Sequence, residues 1–541
     1  MRVTLLLLAF GLSLLGQAVP PKPEAVQEFQ KAEALRRKSD MAGARAAYEK
    51  AIAIDPDYAE AHSNLIFTYR VEAFNGAVTP EQSEAAKAKL KATYADLKVQ
   101  YQKKADADPK RAIWQWALGN LAQNLEKPEE AEAYYRKAVA LNPKFAKAWQ
   151  ELSLMAEFSG DEKESLEAMR RAAEAEPWEP SYSFYYASNL REFDRKLWVE
   201  KSLEVAKRFP DHERGAQALY WLGYRAANEQ ERVKYLEQLK ASYAPQKYSW
   251  SSSGMTGLAV SYFRQDPKKA LAFATEMAGV MTEKSAKDSW AQHETFFKAI
   301  VDAGALLDQG KKTAAIAILD QAKPPRFFEA DAAALAKAAL FVKADQVSKA
   351  YDELLKLTAK TPSDELIAAL NQAGAKLSKA PNDVDADLWR LRLEGAKPAA
   401  ELDLENYYDG KRVKLADYRG KPVLVTFWYP GCGPCRAEFP YFQNVLDKYG
   451  DKLVILAPSV HPYEDRYVIP FMKNMKYGFI PLKCDEKWAS KNYNARGYPT
   501  NALVDHEGTV VFAPRSHDEK TQRVFELQVE AILRRAAQEA K

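Results

Sequence analysis

Cysteine is scarce in this chain, with three in 541 residues. So few cysteines exclude a disulfide-rich scaffold, because folds of that class replace a small core with several bridges. The chain also lacks a large excess of either charge, since it has 78 basic and 74 acidic residues. This balance gives no sign of a nucleic-acid partner. The six histidines show no metal-ligand spacing, and no glycine-rich phosphate loop follows a strand. The sequence therefore indicates neither a metal nor a cofactor.

Long hydrophobic runs are lacking except near the N-terminus. Arg2 precedes an apolar run from Leu5 to Leu15, and Gly16-Gln17-Ala18 has the small-x-small pattern of a cleavage site. This pattern predicts a signal peptide over residues 1–18, cut near Ala18, and a periplasmic or otherwise exported protein. The run is shorter than the roughly 20 residues that span a bilayer, although an uncleaved anchor stays open as an alternative.

Residues 24–395 are alanine-rich, with helical periodicity and few β-branched runs. Pro109, Pro143 and Pro177 are spaced by the same interval, which is the tetratricopeptide period of about 34 residues. The unit 112–145 also has the small residues, the tyrosine and the proline typical of such a repeat. We therefore expect residues 24–395 to form an all-α solenoid of the tetratricopeptide type, since each repeat buries its apolar face only against neighbouring repeats.

The repeat pattern is less regular elsewhere in this region. An insertion after Asn75-Gly76 predicts an additional helix over 81–104, and the register is not defined beyond about 180. Proline and glycine in 379–383 and 395–398 mark the passage to a second domain at 400–541. We expect the solenoid to bind a client or partner protein. Its aromatic cluster forms either inter-repeat core or a binding patch, and it comprises Trp178, Tyr182, Phe184, Tyr185 and Tyr186.

Two of the three cysteines stand in the motif Cys432-Gly433-Pro434-Cys435. The motif follows the apolar run 423–428 and precedes the helical stretch 436–439. Two cysteines three apart at a strand-to-helix junction can close and reopen a disulfide, and the helix N-terminus favours the thiolate of the first. A zinc half-site and a purely stabilising disulfide are the alternatives. Zinc would need a second ligand pair, and the chain has only Cys484 besides.

The residues around this motif resemble a known family. The segment 427–440 is similar to the active-site segment of the thioredoxin superfamily, and 436–440 resembles its TlpA/ResA-like branch of exported thiol–disulfide oxidoreductases. Gly497-Tyr498-Pro499-Thr500 matches the cis-proline loop of the family, and 505–508 resembles a hairpin turn. The resemblance covers about 400–541. It implies an α/β thioredoxin-like domain with a central mixed sheet flanked by helices, within a multidomain chain.

The resemblance also implies roles for individual residues. Cys432 is the expected nucleophile and Cys435 the resolving thiol, while Pro434 belongs to the Gly-Pro pair found in reducing thioredoxins. Pro499, if cis, lies against the two cysteines. Trp428 either shields one side of the motif or belongs to the core. The implied partners are protein substrates and an upstream thiol–disulfide electron donor.

Two positions depart from the family pattern. Gly431 stands where the family usually has tryptophan or another large residue, and Thr426 stands where thioredoxin has a buried aspartate that assists proton transfer. Glu438 is the nearest carboxylate that can replace this aspartate. The alternative is that Glu438 begins the solvated face of the helix.

These observations favour an exported thiol–disulfide oxidoreductase that reduces protein disulfides, with the solenoid selecting or docking the client. A disulfide oxidase or isomerase is one alternative, and a scaffold protein with a redox switch is another. Peroxidase chemistry is disfavoured because Tyr429 stands where peroxiredoxins have threonine. Cys484 is interpreted as a small buried residue, with a resolving role as the alternative, and His461 as part of a surface loop.

Overall fold

The computed structural model separates into two compact units, Met1–Glu157 with Asp161–Trp198 and Phe158–Gly160 with Val199–Lys541. The structure describes residues 21–74, 80–326, 328–515 and 517–539. The expected signal peptide at 1–18 lies outside these residues, as does Asn75-Gly76. Within the described ranges, no helix is at once long enough and apolar enough to cross a membrane.

The first unit is built of helices that pack in consecutive pairs. They are α1 (Pro23–Arg37), α2 (Met41–Ile54), α3 (Ala59–Phe74), α4 (Pro80–Ala107), α5 (Ala112–Asn124), α6 (Pro128–Leu141), α7 (Ala146–Phe158), α8 (Glu162–Ala175) and α9 (Pro180–Asn189). The additional helix expected over 81–104 is confirmed by α4. Since alanines supply much of the buried surface, the helices of a pair approach each other closely.

The pair α5 and α6 shows why a small residue is needed in each repeat. A Cβ atom added at Gly119 would lie 2.5 Å from Cε1 of Tyr135, so the helices could not stay this close. Tyr135 is completely buried, and its hydroxyl donates to Oε1 of Gln123 at 2.7 Å. The tyrosine therefore fills the space that the glycine leaves, as the repeat pattern predicts.

The aromatic cluster of residues 178–186 is divided between core and surface. Tyr182 and Phe184 are buried, which fits the inter-repeat core interpretation. Trp178 is 44% exposed and Tyr185 is 36% exposed. Part of the cluster is thus available to a partner.

The boundary between the units falls within the next helix, and the second unit contains further helices. They are α10 (Arg195–Arg208), α11 (Glu213–Tyr224), α12 (Glu229–Ser242), α13 (Ser249–Gln265), α14 (Pro267–Val280), α15 (Lys284–Asp308), α16 (Lys312–Gln321), α17 (Ala330–Lys343), α18 (Val347–Lys360), α19 (Asp364–Lys376) and α20 (Pro381–Leu393). The Asp266 side chain caps α14 by accepting from the Lys268 N–H at 2.9 Å. The helical character expected of this degenerate region is confirmed.

A six-stranded sheet follows, with strand order β1-β8-β7-β4-β5-β6. Its strands are β1 (Lys397–Pro398), β4 (Val423–Phe427), β5 (Val454–Ser459), β6 (Ile480–Lys483), β7 (Thr500–Val504) and β8 (Thr509–Phe512), while β2 (Asp403–Glu405) and β3 (Arg412–Lys414) form a separate hairpin. The pairs β4–β5 and β5–β6 are parallel, and the others in the sheet are antiparallel. The flanking helices are α21 (Gly433–Tyr449), α22 (Asp465–Asn474), α23 (Glu486–Tyr493) and α24 (Glu519–Glu539). The expected mixed sheet is confirmed.

The sheet separates two apolar clusters, and one of them extends beyond the predicted domain start at 400. This cluster contains Phe439 and Phe525, and it also contains Trp389 from α20. The Arg535 guanidinium lies over the Trp389 ring, 4.6 Å from its centroid. The edge strand β1 pairs Lys397 and Pro398 with β8. The core around the cysteines therefore receives residues from the stretch that precedes 400.

Candidate active site

The two cysteines lie where strand β4 gives way to helix α21. All of β4 is buried, and α21 begins at Gly433 directly after Cys432. Pro434 lies in the first turn of the helix, where its missing N–H costs nothing. Cys432 is the N-cap residue, and its Sγ accepts from the Cys435 N–H at 3.2 Å. The cysteines form a disulfide with a Cα–Cα distance of 5.3 Å.

The two sulfurs differ in accessibility. Cys432 is 3% exposed and Cys435 is completely buried, because Cys435 lies within the first helical turn. The helix dipole stabilises an anion at the N-terminus by about 0.3–1 kcal/mol. The position of Cys432 at the helix N-terminus therefore fits its expected role as the nucleophile of the reduced pair.

Trp428 belongs to the core beneath the disulfide. Its side chain is completely buried, and its ring lies 4.9 Å from that of Phe439 and 5.3 Å from that of Phe471. The indole N–H donates to the Ala457 carbonyl at 3.1 Å. The burial of Trp428 fits the interpretation that it belongs to the core rather than the interpretation that it shields one side of the motif.

Glu438 lies one helical turn beyond Cys435 and is 4% exposed, so the interpretation that it begins a solvated face is wrong. Its Oε2 accepts from Nδ2 of Asn501 at 2.8 Å. Asn501 is the cross-strand partner of Thr426, whose hydroxyl is buried without a hydrogen-bond partner in the described chain. A buried carboxylate is costly unless hydrogen bonds or a proton compensate it, and the Asn501 amide supplies one such hydrogen bond.

The sheet register brings the proline loop to the cysteines. Thr500 pairs with Phe427 across β4 and β7, so Pro499 lies next to the end of β4. The Tyr498–Pro499 peptide bond is cis. The Tyr498 ring meets the Tyr429 ring edge to face, with centroids 5.8 Å apart. The loop before Cys432 and the loop of Pro499 thus adjoin.

A carboxylate that the sequence did not single out holds the loop before Cys432. Oε2 of Glu464 accepts from the Gly431 N–H at 2.6 Å, and Glu464 is 8% exposed. A Cβ atom added at Gly431 would lie 3.1 Å from both carboxylate oxygens. The glycine at this position therefore allows the carboxylate to approach the backbone.

His461 is more enclosed than the predicted surface loop. Its side chain is 14% exposed, and its ring stacks on that of Tyr429 with centroids 3.7 Å apart. Burial alone would lower the pKa of His461, but hydrogen bonds with Glu464 and Glu486 outweigh it and raise this pKa. A sequence signal was available, because His461 and Glu464 follow β5, and parallel strands β4 and β5 end at the same edge of the sheet.

Cys484 follows β6 and packs with the cluster on the opposite side of the sheet from the disulfide. Its Sγ donates to the Asp485 carbonyl at 3.4 Å. Burial raises the pKa of the Cys484 thiol to about 12. These features fit a small packing residue rather than a second redox thiol.

One group of side chains in the described residues has metal-like spacing: His506, Glu507 and Glu539. Arg535 already pairs with both carboxylates, at 2.6 Å from Glu539 and 3.5 Å from Glu507. These side chains are therefore already engaged in ion pairs and hydrogen bonds with one another and with Arg535.

We expect Gly431→Ala to slow disulfide exchange roughly tenfold, because the added Cβ displaces the Glu464 carboxylate and with it the loop that carries Cys432. Gly279→Ala is the control, since a Cβ there also meets nothing within 4 Å and the position lies in α14, outside the Cys432–Cys435 motif. The measurement is the rate of insulin reduction by each variant. Equal rates for the two variants would refute the role given to Glu464.

Comparison with known proteins finds family matches to three segments of the chain. Residues 396–513 match the AhpC/TSA family, residues 32–69 match a TPR repeat, and residues 112–145 match a tetratricopeptide repeat. The last match coincides with the repeat unit predicted from the sequence, which is thereby confirmed.

Curated relatives match the same C-terminal region. The thioredoxin-like protein YneN of Bacillus subtilis is 33% identical over 103 residues, which are 19% of this chain and 60% of that protein. The thiol-disulfide oxidoreductase ResA of Bacillus thuringiensis subsp. konkukian is 31% identical over 115 residues, which are 21% of this chain and 66% of that protein. The chain thus spans less than two thirds of the length of each of these relatives.

A solved structure, the thiol:disulfide interchange protein of the thioredoxin family from Chlorobium tepidum TLS, is 23% identical. The match covers 26% of this chain and 97% of that one, with a TM-score of 0.23.

Proposed function

Since residues 396–513 form a thioredoxin-like domain of the AhpC/TSA family in a chain with tetratricopeptide repeats, we propose that this protein is a thiol–disulfide oxidoreductase acting on protein substrates. The observation that carries the proposal is the Cys432–Cys435 disulfide at the N-terminus of α21. This position supplies a thiolate that can attack a client disulfide and a neighbouring thiol that can displace the client from the mixed disulfide.

The proposed reaction is a two-step exchange. The Cys432 thiolate attacks one sulfur of a client disulfide, and the other client sulfur leaves as a thiolate. The Cys435 thiolate then attacks the Cys432 sulfur in this mixed disulfide and releases the second client sulfur. Two electrons pass to the client, and a dithiol electron donor reduces the Cys432–Cys435 disulfide again.

Glu438 is the proposed acceptor of the Cys435 proton. Cys435 is completely buried, so its thiol has no direct path to water when it must ionise. Glu438 lies one turn away, and the hydrogen bond from Asn501 fixes its carboxylate. The carboxylate would take the proton as Cys435 attacks and return it when the pair is reduced.

The proposal also covers the direction of the redox reaction and the location of the protein. We propose that the reaction is reductive, supported by the resemblance of the Gly433-Pro434 pair to reducing thioredoxins. Export is supported by the pattern of residues 1–18, and disulfide-bonded clients are available in oxidising compartments. An oxidase would run the same two steps in reverse.

The repeats are proposed to select the client. The residues proposed to carry out the reaction lie beyond residue 400, whereas the repeats provide a surface to which a client can bind. The exposed rings of Trp178 and Tyr185 support a partner-binding use of that surface. Binding a client on the same chain raises its local concentration at Cys432 without any new contact at the active site.

The test is a trap for the intermediate. Cys435→Ser retains the attack step and loses the release step, so mixed disulfides with clients should accumulate. They are measured as adducts on non-reducing gels of the full chain, and the double variant Cys432→Ser/Cys435→Ser is the control. Adducts no more abundant than in the control would mean that protein disulfide exchange is not the reaction.

A further inference from the structure

Four rings form a connected group at the edge of the active site: Tyr429, His461, Tyr463 and Tyr498, called here the tyrosine–histidine cluster. The His461 ring stacks on Tyr429 at 3.7 Å and on Tyr463 at 5.0 Å between centroids. The Tyr498 ring meets both Tyr429 and His461 edge to face. The Tyr463 hydroxyl is 2.9 Å from Nδ1 of His461.

The cluster adjoins both loops that flank the nucleophile. The Cys432 N–H donates to the Tyr429 carbonyl at 2.9 Å, so one tyrosine belongs to the turn that ends at the nucleophile. Tyr498 directly precedes Pro499. The cluster therefore lies beside the turn that carries the reacting sulfur.

The cluster differs from core aromatics in its exposure. Trp428 is completely buried in the same domain, whereas Tyr463 is 47% exposed and Tyr429 and Tyr498 are partly exposed. Packing of the core therefore does not account for all four rings, and Tyr463 in particular offers a surface to a ligand.

The charges around the cluster are negative. His461 Nε2 lies 2.9 Å from the Glu486 carboxylate, and His461 Nδ1 lies 3.5 Å from that of Glu464. Burial, with smaller contributions from negatively charged neighbours that include Glu486 and Asp485, raises the pKa of Tyr498 to about 12. Even with His461 protonated, the carboxylates outnumber the cation.

We propose that the tyrosine–histidine cluster binds a lysine or arginine side chain of the client, close to its reactive cysteine; this inference rests on the proposed function. Tyrosine faces attract cations through the ring quadrupole, and the exposed Glu486 carboxylate supplies a charge-assisted partner. The cluster thereby selects disulfides with basic neighbours.

The experiment uses the reduced full chain and three synthetic peptides. Each peptide has one cysteine, blocked as a mixed disulfide with thionitrobenzoate, and the next residue is lysine, glutamine or glutamate. Attack by Cys432 forms the enzyme–peptide disulfide and releases the coloured thionitrobenzoate anion, which gives the second-order rate constant. Rates with 2-mercaptoethanol correct for the intrinsic reactivity of each peptide.

The corrected rate constant should be about tenfold higher for the lysine peptide than for the glutamate peptide at low ionic strength, with glutamine between them. In Glu486→Gln and in Tyr463→Ala this ratio should fall below about threefold. Asp451→Asn is the matched control and should keep the ratio, since this exposed carboxylate lies beyond the opposite end of α21 from Cys432.

A ratio near one in the unmodified chain, with all three peptides reacting, would overturn this inference and leave the proposed function standing. An unchanged ratio in both cluster variants would also overturn it, because the preference would then arise elsewhere. Failure to react with any peptide, or with the neutral reagent dipyridyl disulfide, would refute the proposed function itself.

Discussion

Cys432→Ser is expected to reduce disulfide exchange by more than about 1000-fold. A serine hydroxyl is not appreciably ionised near neutral pH, so the helix N-terminus has no thiolate to stabilise. Cys435 cannot replace it, because that sulfur is completely buried within the first turn of α21. The loss should be nearly complete with every disulfide substrate.

The measurement is the reduction of insulin with dithiothreitol as the electron source. Cys484→Ser is the matched control and should retain the rate of the unmodified chain, since Cys484 packs on the opposite side of the sheet from the disulfide. Circular dichroism checks that both variants are folded. Comparable losses in the two variants, or substantial activity in Cys432→Ser, would contradict the assignment of the nucleophile.

Labelling of the reduced chain should separate Cys432 and Cys484 by at least about 50-fold. Burial raises the pKa of Cys484 from 9.0 to about 12, which lowers its thiolate fraction near neutral pH about 1000-fold. A more basic thiolate is also more nucleophilic, and this raises the labelling rate of Cys484 about 20-fold, which offsets part of the decrease. Cys432 has the opposite environment, at the N-terminus of a helix.

The rates are measured by mass spectrometry after timed exposure to iodoacetamide. Because a raised pKa postpones ionisation, the Cys484 rate should rise about tenfold per pH unit from 7 to 10 without a plateau. When urea unfolds the chain, the Cys484 thiol becomes exposed to water, and it should then react at the rate of an ordinary cysteine. Faster labelling of Cys484 than of Cys432 in the folded chain would contradict the account.

The sequence could predict those parts of the molecule that depend on local pattern. The repeat period indicated the helix pairs, because a small residue such as Gly119 must face a large one such as Tyr135 in each pair. The strand before Cys432 and the helix after it followed from an apolar run and a helix-favouring segment. The C-terminal resemblance supplied the expectation of a mixed sheet flanked by helices, which no local pattern contains.

Contacts between distant segments could not be predicted in this way. Glu464 reaches the Gly431 N–H from a turn 33 positions later, and the sequence shows Gly431 only as a departure from the family. Trp389 packs into the core of a sheet whose main strands begin after it. The burial of Glu438 depends likewise on Asn501, which β7 brings to it.

The most direct test of the central claim is to map the sulfur that joins this protein to its client. Full-length Cys435→Ser is isolated with its adducts, digested without reduction, and the cross-linked peptides are sequenced by mass spectrometry. We predict that the adducts are attached through Cys432, and that the client peptides come from proteins with disulfides. Attachment through Cys484, or no adducts beyond those of the double variant lacking both cysteines of the motif, would contradict the claim.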